Sequence, residues 1–235
     1  NVFAIGNFNG SVDFDPGFFS HTETSVSNTS NCDGFIAKYA PNSAFLWVSV
    51  ISPVSSTTSV TNMRIDHNRI DDELYVTSAC WGGAYDVDPS GASVIENDLS
   101  SVIHLKAASG TYMNHYSNTD YMRDLDYDPA TQSVYVSGRS PIPDTYLITM
   151  KLSSALVYDW SHTLPIAAYG NQPDISCDGY ENFWVVGYSE SVDLDPDPLS
   201  TVTVPYGAFI ASYWKDDGSL MCAYGFEGQG YSDAL

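Results

Sequence analysis

The chain has 235 residues, 43% of them apolar and 16% charged, with 29 Asp and Glu against 8 Lys and Arg and a formal net charge of −21. A chain this apolar, with 14% aromatic residues, can bury a core, which excludes an intrinsically disordered protein. So few cations cannot neutralise a run of phosphates, so we expect no nucleic-acid partner. Anionic lipid would repel this surface, so we also expect no electrostatic docking on a membrane. The longest apolar stretch, residues 45–51, is too short to span a bilayer, which predicts no membrane insertion.

The composition of the chain and one sequon indicate an exported protein. The sequence opens on Asn1 without an initiator Met or a signal peptide, and we interpret it as a processed or excised region of a longer protein. Its even number of cysteines, few lysines and the sequon at Asn28 favour an extracellular or cell-surface location, with glycosylation of Asn28 left open. The four cysteines, Cys32, Cys80, Cys177 and Cys222, lie far apart and form no C-x-x-C motif, so a metal cluster is poorly supported. They form either disulfides, in one of three possible pairings, or buried thiols.

One strand-like phrase recurs four times along the chain. Its copies occupy residues 2–6, 74–78, 134–138 and 183–187. Three copies are preceded by a first strand that enters a hairpin, at residues 63–66, 124–128 and 173–178. All four are followed by a third strand, at residues 34–39, 102–106, 146–152 and 207–213, and by a fourth with aromatic residues, at residues 45–48, 112–116, 157–160 and 220–224. Four short antiparallel strands in each unit of roughly 50 to 70 residues are typical of β-propeller blades.

The predicted fold is therefore all-β, a β-propeller of about four repeats in a single domain, residues 1–235. The repeats cover approximately residues 1–52, 60–117, 120–164 and 168–226, with a partial strand at residues 230–235. The first repeat starts at its second strand, while residues 230–235 resemble a first strand. Three interpretations stay open: this last segment pairs beside residues 2–5 and closes the ring, further repeats follow it, or it completes a neighbouring subunit in a fibre.

The motifs of the first repeat resemble a known family. Ile5-Gly6, Asp13-Phe14-Asp15-Pro16-Gly17, the segment 33–39 and Leu46-Trp47 are similar to the seven-bladed β-propeller repeats of large exported bacterial surface proteins. The resemblance covers essentially the whole chain. It implies a propeller, export and a place in a multidomain surface protein, with other domains as neighbours, and it supplies no catalytic residues. The chain departs from that pattern in having four repeats, and the third repeat lacks the Asp motif.

The Asp-x-Asp-Pro motif occupies one equivalent position, at the start of the loop between the second and third strands. In an extended segment residues i and i+2 point the same way, so each pair of carboxylates could bind a hard cation such as Ca²⁺. In the alternative interpretation each Asp caps a turn through its side-chain oxygen, and Pro ends the strand. The candidate calcium ligands are Asp13, Asp15, Asp86, Asp88, Asp193 and Asp195.

Other side chains carry weaker signals. Lysines recur at one equivalent position of the third strands, at 38, 106 and 151, and we expect them to extend along the blade edge, with inter-strand ion pairs to repeated aspartates as the alternative. We expect most tryptophans to pack between blades. Exposed rings that could stack on a sugar are expected at Trp81 or at Phe18-Phe19. The five histidines show no shared spacing, which predicts that they have no common role.

The sequence predicts a non-enzymatic extracellular module with a structural or adhesive role, as a possible subunit of a surface fibre or filament. Motifs of serine hydrolases, zinc peptidases and phosphate-binding loops do not occur, and no pair among the 29 acidic residues stands out for glycoside hydrolysis. The expected partners are other copies of the chain, neighbouring domains or a glycan. The alternative is a glycan-binding or glycan-cleaving propeller whose site lies on a loop face or in the central channel.

Overall fold

The computed structural model describes residues 1–26, 31–140, 146–165, 173–189 and 192–228, and in these residues every paired strand is antiparallel and no segment is helical. The expected all-β class is confirmed. None of the described residues forms a helix that is long and apolar enough to cross a membrane. The chain divides into two compact units, Asn1–Asn118 and Thr119–Leu235, and the boundary falls between the second and third predicted repeats. Residues 230–235 and Asn28 lie outside the described residues.

The first sheet of the first unit contains the strands predicted for repeat one. They are β1 (Val2–Phe8), β4 (Asp33–Tyr39) and β5 (Phe45–Pro53), and a short hairpin of β2 (Ser11–Asp13) and β3 (Thr22–Thr24) interrupts them. The order is β1-β4-β5, so β1 lies at an edge. A second hairpin, β8 (Tyr85–Asp86) and β9 (Ile95–Glu96), comes from repeat two and extends this sheet beyond β5.

The second sheet contains all four strands predicted for repeat two. They are β6 (Ser59–Asn68), β7 (Glu73–Trp81), β10 (Ser100–Lys106) and β11 (Tyr112–Asn118), paired in chain order. The larger core cluster of this unit is mainly aliphatic and also contains the buried Tyr85 ring. Its members include Ile36, Val76 and Ile103, each fully buried.

The second unit contains two further four-stranded sheets. The first is formed by β12 (Tyr121–Asp128), β13 (Ser133–Arg139), β14 (Tyr146–Ser153) and β15 (Tyr158–Pro165). The second is formed by β16 (Asp174–Cys177), β17 (Asn182–Ser189), β20 (Gly207–Trp214) and β21 (Leu220–Glu227), with a short hairpin of β18 (Val192–Asp193) and β19 (Thr203–Val204) between β17 and β20. Three stacked rings, Tyr135, Phe183 and Tyr213, lie in the core, with successive ring centroids 5.3 Å apart.

A backbone irregularity recurs at the same place in all four sheets. The register between the third and fourth strands shifts by one residue after Lys38, His104, Lys151 and Ser212. Two residues after each of these positions, a backbone N–H donates across the following turn at 2.9 Å, from Ala40, Lys106, Ser153 and Trp214. The four sheets therefore share this bulge, while the turn that follows has two lengths: the acceptor carbonyl lies four residues after the donor in the first and third sheets and five residues after it in the second and fourth.

This register also corrects one sequence assignment. Lys38 and Lys151 are equivalent, but the second sheet has His104 at that position, and Lys106 lies two residues further along. The prediction that the three lysines share a position was therefore wrong for Lys106. The error arose because the bulge and the turn after it were not visible in the sequence, so the strands were aligned by their lysines.

Candidate functional site

The six candidate aspartates lie where the sequence placed them, at the start of the loop after the second strand. The first Asp of each pair ends a short strand: Asp13 ends β2, Asp86 ends β8 and Asp193 ends β18. Sequence reasoning missed the returning strands β3, β9 and β19, which turn each loop into a hairpin. The available signal was the alternation of β-branched and charged residues in segments such as Thr22-Glu23-Thr24. Segments of two or three residues are too short for such an alternation to identify a strand.

The first aspartate of each pair closes its hairpin by accepting two backbone hydrogen bonds on one carboxylate oxygen. The Oδ1 atom of Asp13 accepts from Asp15 N at 3.1 Å and from His21 N at 2.9 Å. Asp86 accepts from Asp88 N at 3.1 Å and from Val94 N at 2.9 Å. In the third hairpin Asp193 accepts from residues 195 and 202, at 3.1 and 2.8 Å.

The second aspartate of each pair caps the next turn. Asp15 accepts from Gly17 N at 2.8 Å, Asp88 from Ser90 N at 2.8 Å, and Asp195 from Asp197 N at 3.0 Å. A side-chain oxygen that accepts the N–H two residues later is the hydrogen bond of an Asx-turn. The turn-capping interpretation is thus confirmed for all six aspartates.

The calcium interpretation stays a prediction. Within the described ranges, no group of three or more His, Cys, Asp and Glu side chains is arranged to hold a metal ion. Ca²⁺ takes six to eight oxygen ligands, so each pair of carboxylates would need further oxygens from the backbone or from water.

A second set of aspartates joins the two sheets of the second unit. Asp124 and Asp126 lie at alternate positions of β12, and their Oδ2 atoms accept from Ile175 N at 2.9 Å and from Cys177 N at 2.6 Å in β16. These carboxylates satisfy N–H groups on the edge of β16 that has no strand partner in the described part of the chain. The sequence identified this segment as a first strand but did not reveal the role of its alternate carboxylates.

A buried ion pair lies at one end of the same unit. The Lys215 ammonium is 3.1 Å from Asp128 Oδ2, and the two side chains are only 2% and 3% exposed. The same ammonium donates to the carbonyl oxygens of Asp178 at 2.6 Å and Tyr180 at 2.9 Å. Lys215 therefore connects the β12–β13 turn, the β16–β17 turn and the end of β20. The sequence missed it because a single lysine beside a Trp and two Asp residues reads as part of an exposed turn.

The lysines of the third strands have different environments. Lys38 is 5% exposed and donates to the carbonyl oxygen of Ala107 at 2.6 Å, with its ammonium 5.2 Å from the Phe3 ring centroid. Lys106 and Lys151 form ion pairs with Glu73 and Asp159, at 2.8 and 3.1 Å. Lys106 and Lys151 thus form inter-strand ion pairs, the alternative to lysines that only extend along the blade edge, and Lys38 is buried.

Four of the five histidines lie beside a carboxylate. The sequence did not reveal these contacts, because the histidines have no shared spacing. The best connected is His115, which bonds Glu96 Oε1 at 2.7 Å and the Tyr112 hydroxyl at 2.6 Å. Burial, followed by the charges of Asp88, Glu96 and Asp86, raises the pKa of Tyr112. This phenol is therefore a hydrogen-bond donor at neutral pH rather than a nucleophile.

Exposed aromatic rings occur where the sequence suggested them. At the tip of the β2–β3 hairpin Phe18 is fully exposed and Phe19 is 83% exposed, and Trp81 is 45% exposed. The four cysteines are free thiols in the structure, and burial raises the pKa of Cys80 to about 11. The structure has no disulfide among the four cysteines, but only Cys80 is a buried thiol and the other three are partly exposed.

Comparison with known proteins adds no identification, because neither a protein-family model nor a curated protein sequence matches this chain.

The hairpin aspartates can be tested by substitution in the third hairpin. We expect Asp193→Ala to lower the free energy of unfolding by about 1–2 kcal/mol, because two backbone donors lose their acceptor. Asp193→Asn keeps a side-chain carbonyl oxygen, so it should cost less than half as much. Chemical denaturation of both variants measures the difference. Equal losses would show that charge, not hydrogen bonding, is what the position supplies.

The same variants test calcium. If the Asp pairs only cap turns, Ca²⁺ added after treatment with a chelator should change the melting temperature of neither the wild type nor Asp193→Asn. A calcium-dependent rise that Asp193→Asn/Asp195→Asn reduces would instead establish a cation site.

The pH dependence of the first hairpin follows from Asp13. Hydrogen bonds from the backbone N–H groups of His21 and Asp15 hold its pKa below the ordinary value of 3.8. Because the folded state lowers this pKa, the contribution of Asp13 to stability is complete above pH 3.8 and is lost as the pH falls through the folded-state pKa. An NMR titration of the His21 amide should show a midpoint below 3.8, and Asp13→Ala should abolish it. A midpoint at or above that value would contradict the hydrogen-bonded geometry.

The buried ion pair predicts a large and local loss of stability. Lys215→Met leaves Asp128 buried without its counter-charge, so we expect a loss of about 3–5 kcal/mol in the free energy of unfolding. The matched control is Lys106→Met, which removes a lysine that is 46% exposed and should cost about 0–1 kcal/mol. Similar losses for the two variants, measured by denaturant titration, would rule out the connecting role of Lys215.

Proposed function

We propose that the four repeats are the blades of a β-propeller and that this propeller is a non-enzymatic structural or adhesive module outside the cell, the repeating subunit of a surface fibre. The propeller is supported by three sheets with identical strand order and a fourth that differs only by its missing first strand and its added hairpin. The bulge common to all four sheets supports it as well.

One observation carries the structural role: several charged side chains in the four repeats are hydrogen-bonded to backbone groups of the turns and edges where they lie. The hairpin aspartates, the β12 aspartates and the Lys215 ammonium all bond backbone groups. Catalytic carboxylates must instead face a substrate, in pairs with a defined separation. This use of charge favours a scaffold over an enzyme.

The adhesive part of the proposal rests on the exposed hairpin tips. Phe18 and Phe19 protrude from the first hairpin, and Leu199, which is 94% exposed, lies at the corresponding place in the third. Exposed apolar side chains at repeated loop tips are suited to contact with another surface. A glycan is the alternative partner, because sugar rings stack on exposed aromatic side chains.

Electron microscopy of the native material tests the fibre directly. We expect filaments with a subunit of constant size. Isolated particles across the full range of protein concentration would eliminate the fibre.

A binding assay with soluble oligosaccharides tests the alternative. Binding that is lost in Phe18→Ser/Phe19→Ser but kept in Leu199→Ser would replace the structural role with a glycan-binding one.

A further inference from the structure

The turn between β1 and β2 consists of Asn9 and Gly10, the only Asn-Gly pair in the sequence. Both residues are exposed. The φ angle of Gly10 is +70°, and a Cβ added to this residue would meet no atom within 4 Å. Asparagine and glycine are favoured in such turns because both adopt the left-handed conformation at low cost. Because Gly10 has no side chain, nothing on that residue shields its peptide nitrogen from the side chain of Asn9.

An asparagine side chain can react with such an unshielded peptide nitrogen. The Gly10 nitrogen attacks Cγ of Asn9, so a bond from this nitrogen to Cγ forms, the bond from Cγ to the side-chain nitrogen breaks, and ammonia leaves with the proton of the peptide nitrogen. The product is a cyclic imide. Water then opens the ring at either carbonyl, which gives an aspartate at position 9 or an isoaspartate whose main chain runs through the β-carboxyl carbon. The net reaction consumes water, releases ammonia and needs no oxidant or reductant.

The reacting nitrogen also holds the base of the β2–β3 hairpin. The N–H of Gly10 donates to Ser25 Oγ at 2.8 Å, and the Gly10 carbonyl oxygen accepts from the Ser25 N–H at 3.0 Å. These two bonds lie directly next to the paired residues Ser11 and Thr24. The nitrogen must leave Ser25 Oγ before it can give up its proton and turn toward Cγ. The imide has no N–H, so this hydrogen bond is lost once the ring has closed.

The products change the hairpin in two further ways. An isoaspartate lengthens the main chain by one carbon atom directly before Gly10, which moves the Gly10 carbonyl oxygen away from the Ser25 N–H. Both products carry a new carboxylate beside a hairpin that already contains three acidic residues, so like-charge repulsion increases. Deamidation therefore loosens the end of the hairpin that lies opposite the tip with Phe18 and Phe19.

We propose that Asn9-Gly10 is a site of spontaneous deamidation and that the Ser25 hydroxyl, by holding the Gly10 N–H, sets its rate. This site is independent of the proposed function, because the reaction needs only water and the chain itself. The base of the β2–β3 hairpin is then a part of the molecule that changes with the age of the protein.

Mass spectrometry of the full chain, incubated at neutral pH and digested afterwards, measures the reaction. We expect the peptide that contains Asn9 to become about 1 Da heavier with time and to separate into an aspartate and an isoaspartate product. Asn42 is the internal control, because it is also exposed but precedes Ser43, whose side chain shields its own peptide nitrogen. The peptide with Asn42 should react more slowly. Asn9→Gln should remove the change over the same time, because the longer side chain closes a ring much less readily.

Three variants test the role of Ser25. Ser25→Ala removes the acceptor of the Gly10 N–H, so the nitrogen is released and the rate at position 9 should rise about threefold to tenfold. Ser20→Ala is the matched control, because it removes a hydroxyl of the same hairpin that bonds Thr22 instead, and it should leave the rate unchanged. Asp13→Ala weakens the hairpin near its tip but keeps the bond between Gly10 and Ser25, so it should raise the rate less than Ser25→Ala does.

The outcomes separate the site from the role of Ser25. An unchanged mass at position 9, over the time in which a short unstructured peptide with the same Asn-Gly pair reacts, would overturn the site. A rate in Ser25→Ala that is equal to or below that of the wild type would overturn the role of Ser25. An equal acceleration in Asp13→Ala would assign the rate to general loosening of the hairpin and would overturn that role as well. Filament formation is measured separately, so none of these outcomes is confused with a failure of the proposed function.

Discussion

The hydrogen bond from a backbone N–H to an aspartate carboxylate is the interaction on which this structure depends. Short antiparallel strands leave backbone donors without partners at each turn and at each exposed edge, and these donors are costly unless they are satisfied. In the hairpins a single oxygen of Asp13, Asp86 or Asp193 accepts two of them. In β12 the same chemistry covers the edge of a neighbouring strand.

This interaction explains why so acidic a chain can fold. Carboxylates that accept backbone donors are stabilised as anions, so their charge is part of the architecture and is not merely tolerated. Two of the eight Lys and Arg residues lie in the interior. Lys215 and Lys38, both nearly fully buried, bind carbonyl oxygens of neighbouring turns. The chain as a whole stays strongly negative, at a net charge of −21, which disfavours non-specific association with other anions.

The sequence predicted the long strands well because period-two alternation and the repeated phrase both marked them. It also placed the Asp pairs correctly and offered turn capping as one of two interpretations. It could not predict β3, β9 and β19, which are too short for a periodic signal, nor the register that separates Lys106 from Lys38 and Lys151. The role of Asp124 and the burial of Lys215 depend on contacts between distant segments, and no local pattern encodes such contacts.

Amide hydrogen exchange at neutral pH tests the central role of these carboxylates most directly. The backbone amides of His21, Val94 and Val202 each donate to the first aspartate of their hairpin. We predict that all three exchange at least about tenfold more slowly than in an unstructured peptide, and that each loses its protection when its own aspartate is replaced by alanine. Exchange of the three amides at the unstructured rate in the wild type would contradict this account.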